Sequence, residues 1–558
     1  MHDVTGAEPR AFASRRPAAL LFSILFLALL VFGGLYVQRT SFVVNGQRVY
    51  TLWDDAMISM QYARNLREGH GLVWNPGGER IQGFTNPGVT FTMALVHVLP
   101  LSEFDMALAF QLLNLALLAG TWVGVWCVSR RVFPGDPMIA AGASVAVALC
   151  APLAIWSIQG ADTGFISLWM LACIGMIAAA ERDGRPWPAA CFWLLAAGIA
   201  IRPDVTVFAV AILFVTLRSA RRDAWRRLAH GGLAIATVWG ALVLGSQLYY
   251  GDPLPNTWYL KATGAPLGPV IATGVSQLGP WLLRMLPALG LALVAVRWER
   301  ARAAVLACGL PLLAGLAYHT SVGGDWMAHY GSRFAVPALP PLLILATAGL
   351  WRLLQKTLPA PRLASASART GFLAGAIAMS LLLNPKGTTS EWFGPSRMPM
   401  LAQTNAKNFR YASYIRDHTH PSTTLGLHWA GIPRYFGHRT SIDLLGRSDR
   451  HIARTEMHAG RFRPGHSKWD WDYVMNLRKP DIVIGESRGL RDRADFREAY
   501  YLAKGPRRGF YVRKDAVEKL IDNELAFEDM ETGRRIPRPL DRDPGLAHDA
   551  KRSNPEEP

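Results

Sequence analysis

AALLFSILFLALLVFGGLYV, residues 18–37, and the WDDAMISMQYARNLREGHG that follows at 53–71 decide the fold between them. The first is an unbroken apolar run of the length a helix needs to cross a bilayer, about 20 residues. It follows Arg10, Arg15 and Arg16, but it is long for a signal-peptide core and has no small-residue cleavage site, so it reads as a retained anchor. Further apolar runs lie near 105–130, 137–155, 163–180, 187–200, 203–218, 229–249, 279–296, 303–319, 334–351 and 371–384. Together they predict a polytopic α-helical membrane protein with roughly eleven transmembrane helices. A composition of 51% hydrophobic residues with 19 Trp in 558 residues agrees, since no single soluble core needs so much apolar surface.

The formal net charge of +18 invites a nucleic-acid reading, but the basic residues gather in alternate short loops. Those loops carry Arg130 and Arg131, Arg182 and Arg185, the cluster Arg218, Arg221, Arg222, Arg226 and Arg227, then Arg297, Arg300 and Arg302, and finally Arg352, Lys356, Arg362 and Arg369. This is the positive-inside pattern of a membrane protein, so no nucleic-acid partner is expected. It puts the N-terminus and these loops in the cytoplasm of a bacterial cell, with the chain crossing the inner membrane many times. The opposite, extracytoplasmic loops hold the unusual polar sequence: Asp54-Asp55, ERIQGFTNPG, WSIQGADTG, RPD, YYGDPLPNTWYLK and HTSVGGDWMAHYGSRF. NPGVTFTMALVHVLP at 86–100 is too short to span and is bounded by Pro87 and Pro100, which fits an interfacial or re-entrant helix.

These boundaries predict a transmembrane module over 1–384 with a first extracytoplasmic loop at 38–104, an extracytoplasmic α/β domain over 385–530, and a disordered tail over 531–558. The α/β reading rests on FRYASYIRDHTHP as a helix, TTLGLHWAG as a strand and DYVMNLRKPDIVIG as helix, turn and strand. The tail is proline-rich and charged, with little to bury. Cys127, Cys150, Cys173, Cys191 and Cys308 all fall inside predicted spans and read as packing residues, with no zinc or disulfide spacing.

Adjacent acids beside a bilayer are costly and point to function. In DDAMISMQYARNL, Met57, Ile58, Met60, Tyr62 and Leu66 mix helical spacing with gaps, while Arg64 and Arg67 fall on a more polar side. A helix lying along the membrane surface would carry Asp54 and Asp55 at its N-terminus, where the helix dipole favours carboxylates. Simple N-capping is the competing explanation, although a cap needs only one acid.

WDDAMISMQYARNLREGHGLVWNPGGERIQGFTNPG resembles the first extracytoplasmic loop of GT-C fold glycosyltransferases, in particular the branch containing the mycobacterial terminal β-(1→2)-arabinofuranosyltransferase. WSIQGADT, the RPD at 202–204, YYGDPLPNTWYLK, GGDWM, WAGIPRYFGHRTSIDLLGRSDRHIAR and GHSKWDWDYVMNLRKPDIVI extend the likeness over most of 50–485. The resemblance implies a polyprenyl-phosphate sugar donor, a glycan or lipid acceptor, and inversion at the anomeric carbon. It also implies that the acidic motif supplies the catalytic base, here Asp54 with Asp55 as partner, or the reverse. A positioned carboxylate that takes the acceptor's proton is worth typically ~10²- to 10⁴-fold.

The departing lipid phosphate needs cations, and Arg333, Lys261, Arg202 and His329 sit at predicted outer helix ends. Each cation also suits a plain interfacial anchor. Trp53, Glu79, Gln82, Thr85, Asn86, Asp162, Trp258, Asp325 and Trp326 are candidates for holding substrate, and Asp252 and Asn256 share their face. Turn chemistry already explains Asp252, and GGD at Asp325 suits either a turn or close approach to phosphate. A divalent cation is compatible with the acids, but a donor with one phosphate does not oblige it, so no metal is assigned. Two rival readings are a lipid-linked sugar transporter and a non-catalytic envelope or flagellar-motor assembly factor. Acids grouped in loops at one face, away from the bilayer midplane, speak against the transporter.

Overall fold

Every apolar run is mainly helical over its described residues in the computed structural model, which describes residues 15–215, 224–300, 302–325, 327–394, 398–458, 462–485, 489–504, 509–521 and 525–536. Arg10, Arg218, Arg221, Arg222 and Trp326 lie outside the described residues, as does the tail beyond Ile536. Among the described residues, eight helices are long and apolar enough to cross a membrane, or nine if the bent pair Pro137–Ala148 and Ala151–Ile158 forms one span. The chain is thus a multi-pass membrane protein with fewer full-length spans than the eleven runs suggest. Ala189–Ile201 and Thr206–Phe214 are 13 and 9 residues long, short of a crossing. Pro203 is the reason: it pushes Arg202 into an extended conformation (φ −160°, ψ 127°) and divides one apolar stretch into two short helices. The bend of 56° between Pro137–Ala148 and Ala151–Ile158 has a similar cause, since Pro152 has no N–H to continue the helical ladder.

The chain divides into two compact units. One comprises Met1–Thr40, Leu108–Ala241 and Val270–Met398; the other comprises Ser41–Ala107, Leu242–Pro269 and Pro399–Pro558.

In the helical unit, basic residues of the predicted cytoplasmic loops tie helix ends together. Arg352 donates to Asp136 and to Glu299, both at 2.7 Å. Glu181 accepts the N–H groups of Ala303 (3.0 Å) and Ala304 (3.2 Å), satisfying otherwise orphaned donors at the start of Ala303–Ser321. Trp122 donates from its indole to the Ser144 carbonyl at 2.8 Å, fixing Met106–Val132 against Pro137–Ala148.

The second unit is built on a seven-stranded sheet in the order β4-β3-β5-β7-β6-β8-β9. Its strands are β3 (Leu425–Leu427), β4 (Ser441–Asp443), β5 (Ile482–Ile484), β6 (Tyr500–Lys504), β7 (Gly509–Arg513), β8 (Ala526–Asp529) and β9 (Arg535–Ile536); β1 (Phe42–Val44) and β2 (Gln47–Val49) form a separate hairpin. β4, β3 and β5 pair in parallel and the rest are antiparallel. The helix Met400–His418 and the strands at 425–427 and 482–484 stand where their sequence patterns put them.

Two features of this unit escape a linear reading. Ile58, Tyr62, Trp74 and Phe84 of the first loop, with Tyr250, share one hydrophobic core with Leu425, Leu427, Ile482, Ile484, Phe510, Val512 and Phe527. A loop and a domain that are separate in sequence are therefore one folded body. Residues 531–536 are also ordered: Asp529 accepts the N–H groups of Glu531 and Thr532, and the turn leads into β9.

Candidate functional site

The helix Asp54–Arg67 begins at the acidic pair, but it does not lie on a surface. Residues 56 to 65 are all buried. Arg64, expected on a polar side, stacks its guanidinium 4.4 Å from the Tyr435 ring centroid and donates to the Tyr435 carbonyl at 2.8 Å. An arginine can be buried in this way because its stem is apolar and its planar head is matched by a ring and a carbonyl. The expected interfacial segment at 86–100 contains the helix Pro87–Val96, ten residues long.

The two acids occupy different environments. Asp54 is 4% exposed, and its oxygens accept the backbone N–H groups of Gly431 (3.2 Å) and Ile432 (2.9 Å). Its carboxylate thus closes the N-terminal end of Ile432–Gly437, a capping role directed at a helix nearly four hundred residues away in sequence. The approach demands glycine at 431, where a Cβ would stand 1.8 Å from the Asp54 carbonyl oxygen. Burial pushes the Asp54 carboxyl up to about 6, against the opposing pull of Arg447 and the two N–H groups. Asp55 differs sharply: its side chain is 46% exposed, and Arg447 reaches its Oδ1 from Nη1 at 3.1 Å. The sequence reading puts the base at Asp54 with Asp55 as its partner, or the reverse; in the fold Asp54 is occupied by two backbone N–H groups and Asp55 is the more exposed of the two, which favours the reverse order.

Arg447 was not among the residues singled out by sequence. It lies in DLLGRSD, residues 443–449, between β4 and the helix Arg450–Arg454. The available signal was an arginine bracketed by acids in a short polar loop, which also reads as an ordinary turn. Asn256, noted only as a neighbour of candidate residues, donates to the carbonyls of Gly446 (2.9 Å), Arg447 (3.1 Å) and Asp449 (3.0 Å).

The other candidates in this unit mostly bind the protein itself. Glu79 pairs with Arg450 at 2.9 Å, and Gln82 accepts from Ser246 at 2.7 Å. Asn86 accepts from Ser59 at 3.0 Å, with half-buried Thr85 beside it. Asp252 pairs with Arg454 at 2.7 Å, a structural role in keeping with its turn sequence. Trp53 is half-buried at the N-cap of Asp54–Arg67. Trp258 is 46% exposed and offers a ring face of the kind that sugars stack on, while Lys261 packs along Gly465.

In the helical unit the structure brings together Arg202 and Arg333, which are far apart in sequence. They line one small cleft with Ile166, Val207, Phe208, Phe334 and Pro337, and both guanidiniums lie over the Phe334 ring, at 5.3 Å and 5.4 Å. Arg202 is paired with Asp162 (2.9 Å) and Asp204 (2.8 Å), and Arg333 with Asp325 (3.1 Å). The loop carrying Arg333 is pinned: Ser332 meets His319 Nδ1 at 2.7 Å, Trp156 donates to the Gly331 carbonyl, and Gln277 accepts the Asp325 N–H. At Gly324 (φ 89°) a Cβ would collide with that Gln277 oxygen at 2.1 Å, so only glycine permits the contact. His329 is not among the residues that line this cleft; it lies 4.4 Å from the Tyr330 ring, and desolvation holds its imidazole below the usual histidine range against the opposing pull of Asp325.

Asp54 spends its oxygens on backbone N–H groups, Asp325 is paired with Arg333, and among the described residues no three His, Cys, Asp or Glu side chains converge as a metal site.

Comparison with known proteins bears on the fold. A family model described as a domain of unknown function, DUF8728, matches residues 400–521. The terminal β-(1→2)-arabinofuranosyltransferase of Mycobacterium tuberculosis (strain ATCC 25618 / H37Rv) is 26% identical over 231 residues, which cover 37% of this chain and 34% of that protein, about a third of its length. ArnT from Cupriavidus metallidurans in the apo state superposes with a TM-score of 0.55 at 16% identity, covering 89% of this chain and 98% of ArnT. The Archaeoglobus fulgidus oligosaccharyltransferase in its apo form gives a TM-score of 0.54 at 10% identity over 88% of this chain and 74% of the other. With its apolar helices, its first loop and its C-terminal sheet, the chain has the GT-C fold that these two glycosyltransferases share.

Proposed function

We propose that this chain is an inverting membrane glycosyltransferase that moves a sugar from a polyprenyl-phosphate donor to a hydroxyl of a cell-envelope glycan or lipid. It acts at the extracytoplasmic face of the bacterial inner membrane. Asp55 is the general base: its carboxylate accepts the acceptor's O–H proton as that oxygen attacks the anomeric carbon from the side opposite the phosphate. The new glycosidic bond forms, the anomeric carbon–oxygen bond to phosphate breaks, and polyprenyl phosphate departs with the electron pair. Asp54 orients the dyad by anchoring it to Gly431 and Ile432.

The observation that carries this reading is the exposed carboxylate of Asp55 on a buried helix, in a chain with the fold of lipid-linked glycosyltransferases. The cleft of Arg202 and Arg333 supports the donor half, because cations set among Ile166, Val207, Phe208 and Pro337 suit a phosphate that carries a prenyl chain. Both arginines hold carboxylates, so phosphate binding would exchange one anion for another. The likeness to an arabinofuranosyltransferase favours an arabinofuranose-like sugar. The reading requires no metal ion, so transfer is expected to be unchanged by chelation with EDTA.

The test is transfer by the purified full chain in nanodiscs, supplied with a panel of radiolabelled polyprenyl-phosphate sugars and envelope extracts. One donor is consumed and its label appears in a glycan or lipid. In a deletion strain, mass spectrometry finds that donor accumulating and the matching envelope sugar missing. Intact donors across the panel, with an unaltered envelope in the deletion strain, would refute the proposal.

A further inference from the structure

The loop Asp443–Asp449 is built more firmly than a turn requires. Asp443 is fully buried and accepts the N–H groups of Leu445 (3.1 Å) and Ser448 (2.9 Å). Asn256 holds three carbonyls of the same loop with one amide group, and Asp449 accepts the N–H of Ile452 at 3.0 Å, capping the next helix. All of this places one side chain, Arg447. Its guanidinium is only 11% exposed and donates in separate directions: Nη1 to Asp55 Oδ1 at 3.1 Å and Nη2 to the His428 carbonyl at 2.8 Å, with Nε 3.5 Å from Asp443 Oδ2. Asp54 also lies within its field. One cation therefore faces three carboxylates: the hydrogen bond to the His428 carbonyl and the ion pair with Asp443 hold its head while Nη1 donates to Oδ1 of Asp55.

We infer that Arg447 is the positioning residue of the acidic dyad, setting the direction of the Asp55 carboxylate and keeping it ionised. The inference rests on the reading in which Asp55 is the base. A carboxylate beside a fixed guanidinium stays deprotonated, while an unpartnered cluster of acids takes up protons. A planar fork also fixes orientation, which a lysine point charge does not.

The test uses full-length Arg447→Gln and Arg447→Lys in nanodiscs. Carbodiimide couples to protonated carboxyls, so its labelling of Asp55 against pH, read by peptide mass spectrometry, reports ionisation without any need for transfer activity. Arg447→Gln is expected to move the labelling midpoint and the acidic limb of the pH–rate profile upward by about half a pH unit, the scale set by a pair whose carboxylate is 46% exposed. Arg447→Lys is expected to keep both within about 0.1 unit of wild type while lowering kcat about tenfold. An unmoved midpoint and limb in folded Arg447→Gln overturns the inference. If Arg447→Gln does not fold, Arg447→Lys decides: a tenfold loss of kcat with the acidic limb kept supports the role, and wild-type kcat overturns it. If wild type transfers nothing, or Asp55→Asn transfers normally, the underlying reading fails, and the labelling midpoint still shows whether Arg447 governs Asp55.

Discussion

Asp54→Ala should destabilise the sheet-containing unit, and more so in acid than at neutral pH. The substitution leaves the N–H groups of Gly431 and Ile432 buried without their acceptor, a cost of about 1–3 kcal/mol each, or roughly 2–6 kcal/mol together. Part of this is offset at pH 7. Burial lifts the carboxyl from 3.8 to about 6, so the ionised side chain already costs the native state about 3 kcal/mol that alanine does not. The net loss at pH 7 is then roughly −1 to +3 kcal/mol, and the larger loss is the one seen in acid. Between pH ~4 and ~6 the native carboxyl holds a proton that the unfolded chain has released, so the group contributes most below ~4 and loses that contribution as pH rises through ~6. The gap between wild type and variant therefore widens on acidification. Unfolding followed by tryptophan fluorescence in nanodiscs at one scan rate, at pH 7.5 and 4.5, measures it; a unit of 150–250 residues shifts by roughly 2–4 °C per kcal/mol. A gap that is constant or narrows in acid refutes the assignment of Asp54 as a buried anchor.

The cleft of Arg202 and Arg333 predicts that Arg333→Ala raises KM for the lipid donor at least tenfold, while leaving the acceptor KM within twofold; equal effects on both substrates contradict a phosphate role. Because Asn405 donates to Thr51 (3.0 Å), Asn75 donates to the Ser441 carbonyl (2.8 Å) and Arg64 is buried against Tyr435, a chain ending at 398 loses the partners of its first loop. Limited trypsinolysis then cuts at Arg64, which is buried in the full chain; continued resistance at Arg64 shows that the loop folds alone.

The helices were legible because a bilayer imposes length and apolarity on local sequence, and the positive-inside loops stood out for the same reason. What was not legible depends on contacts between distant residues. Nothing local marks Arg64 as buried, because its partner is Tyr435. Nothing in the Asp54-Asp55 pair distinguishes its members, because the difference comes from Gly431 and Ile432 on one side and Arg447 on the other. Asn256 is placed by sequence only on the same face as the candidate residues, and its function as the anchor of 446–449 appears only when two remote segments are folded together. The break at Pro203 is visible in the sequence and divides the apolar runs 187–200 and 203–218, yet both are counted there as spans although they are short for a crossing, and their described helices are 13 and 9 residues long.

The central claim, that Asp55 takes the acceptor's proton while Asp54 holds the helix ends together, is tested most directly by single-turnover transfer with Asp55→Asn beside wild type. The expected result is a loss of ~10²- to 10⁴-fold in rate. The unfolding temperature should stay close to wild type, since the pair with Arg447 leaves Asp55 46% exposed and such an ion pair is worth about 0–1 kcal/mol. A folded Asp55→Asn chain that transfers sugar within tenfold of the wild-type rate contradicts the account.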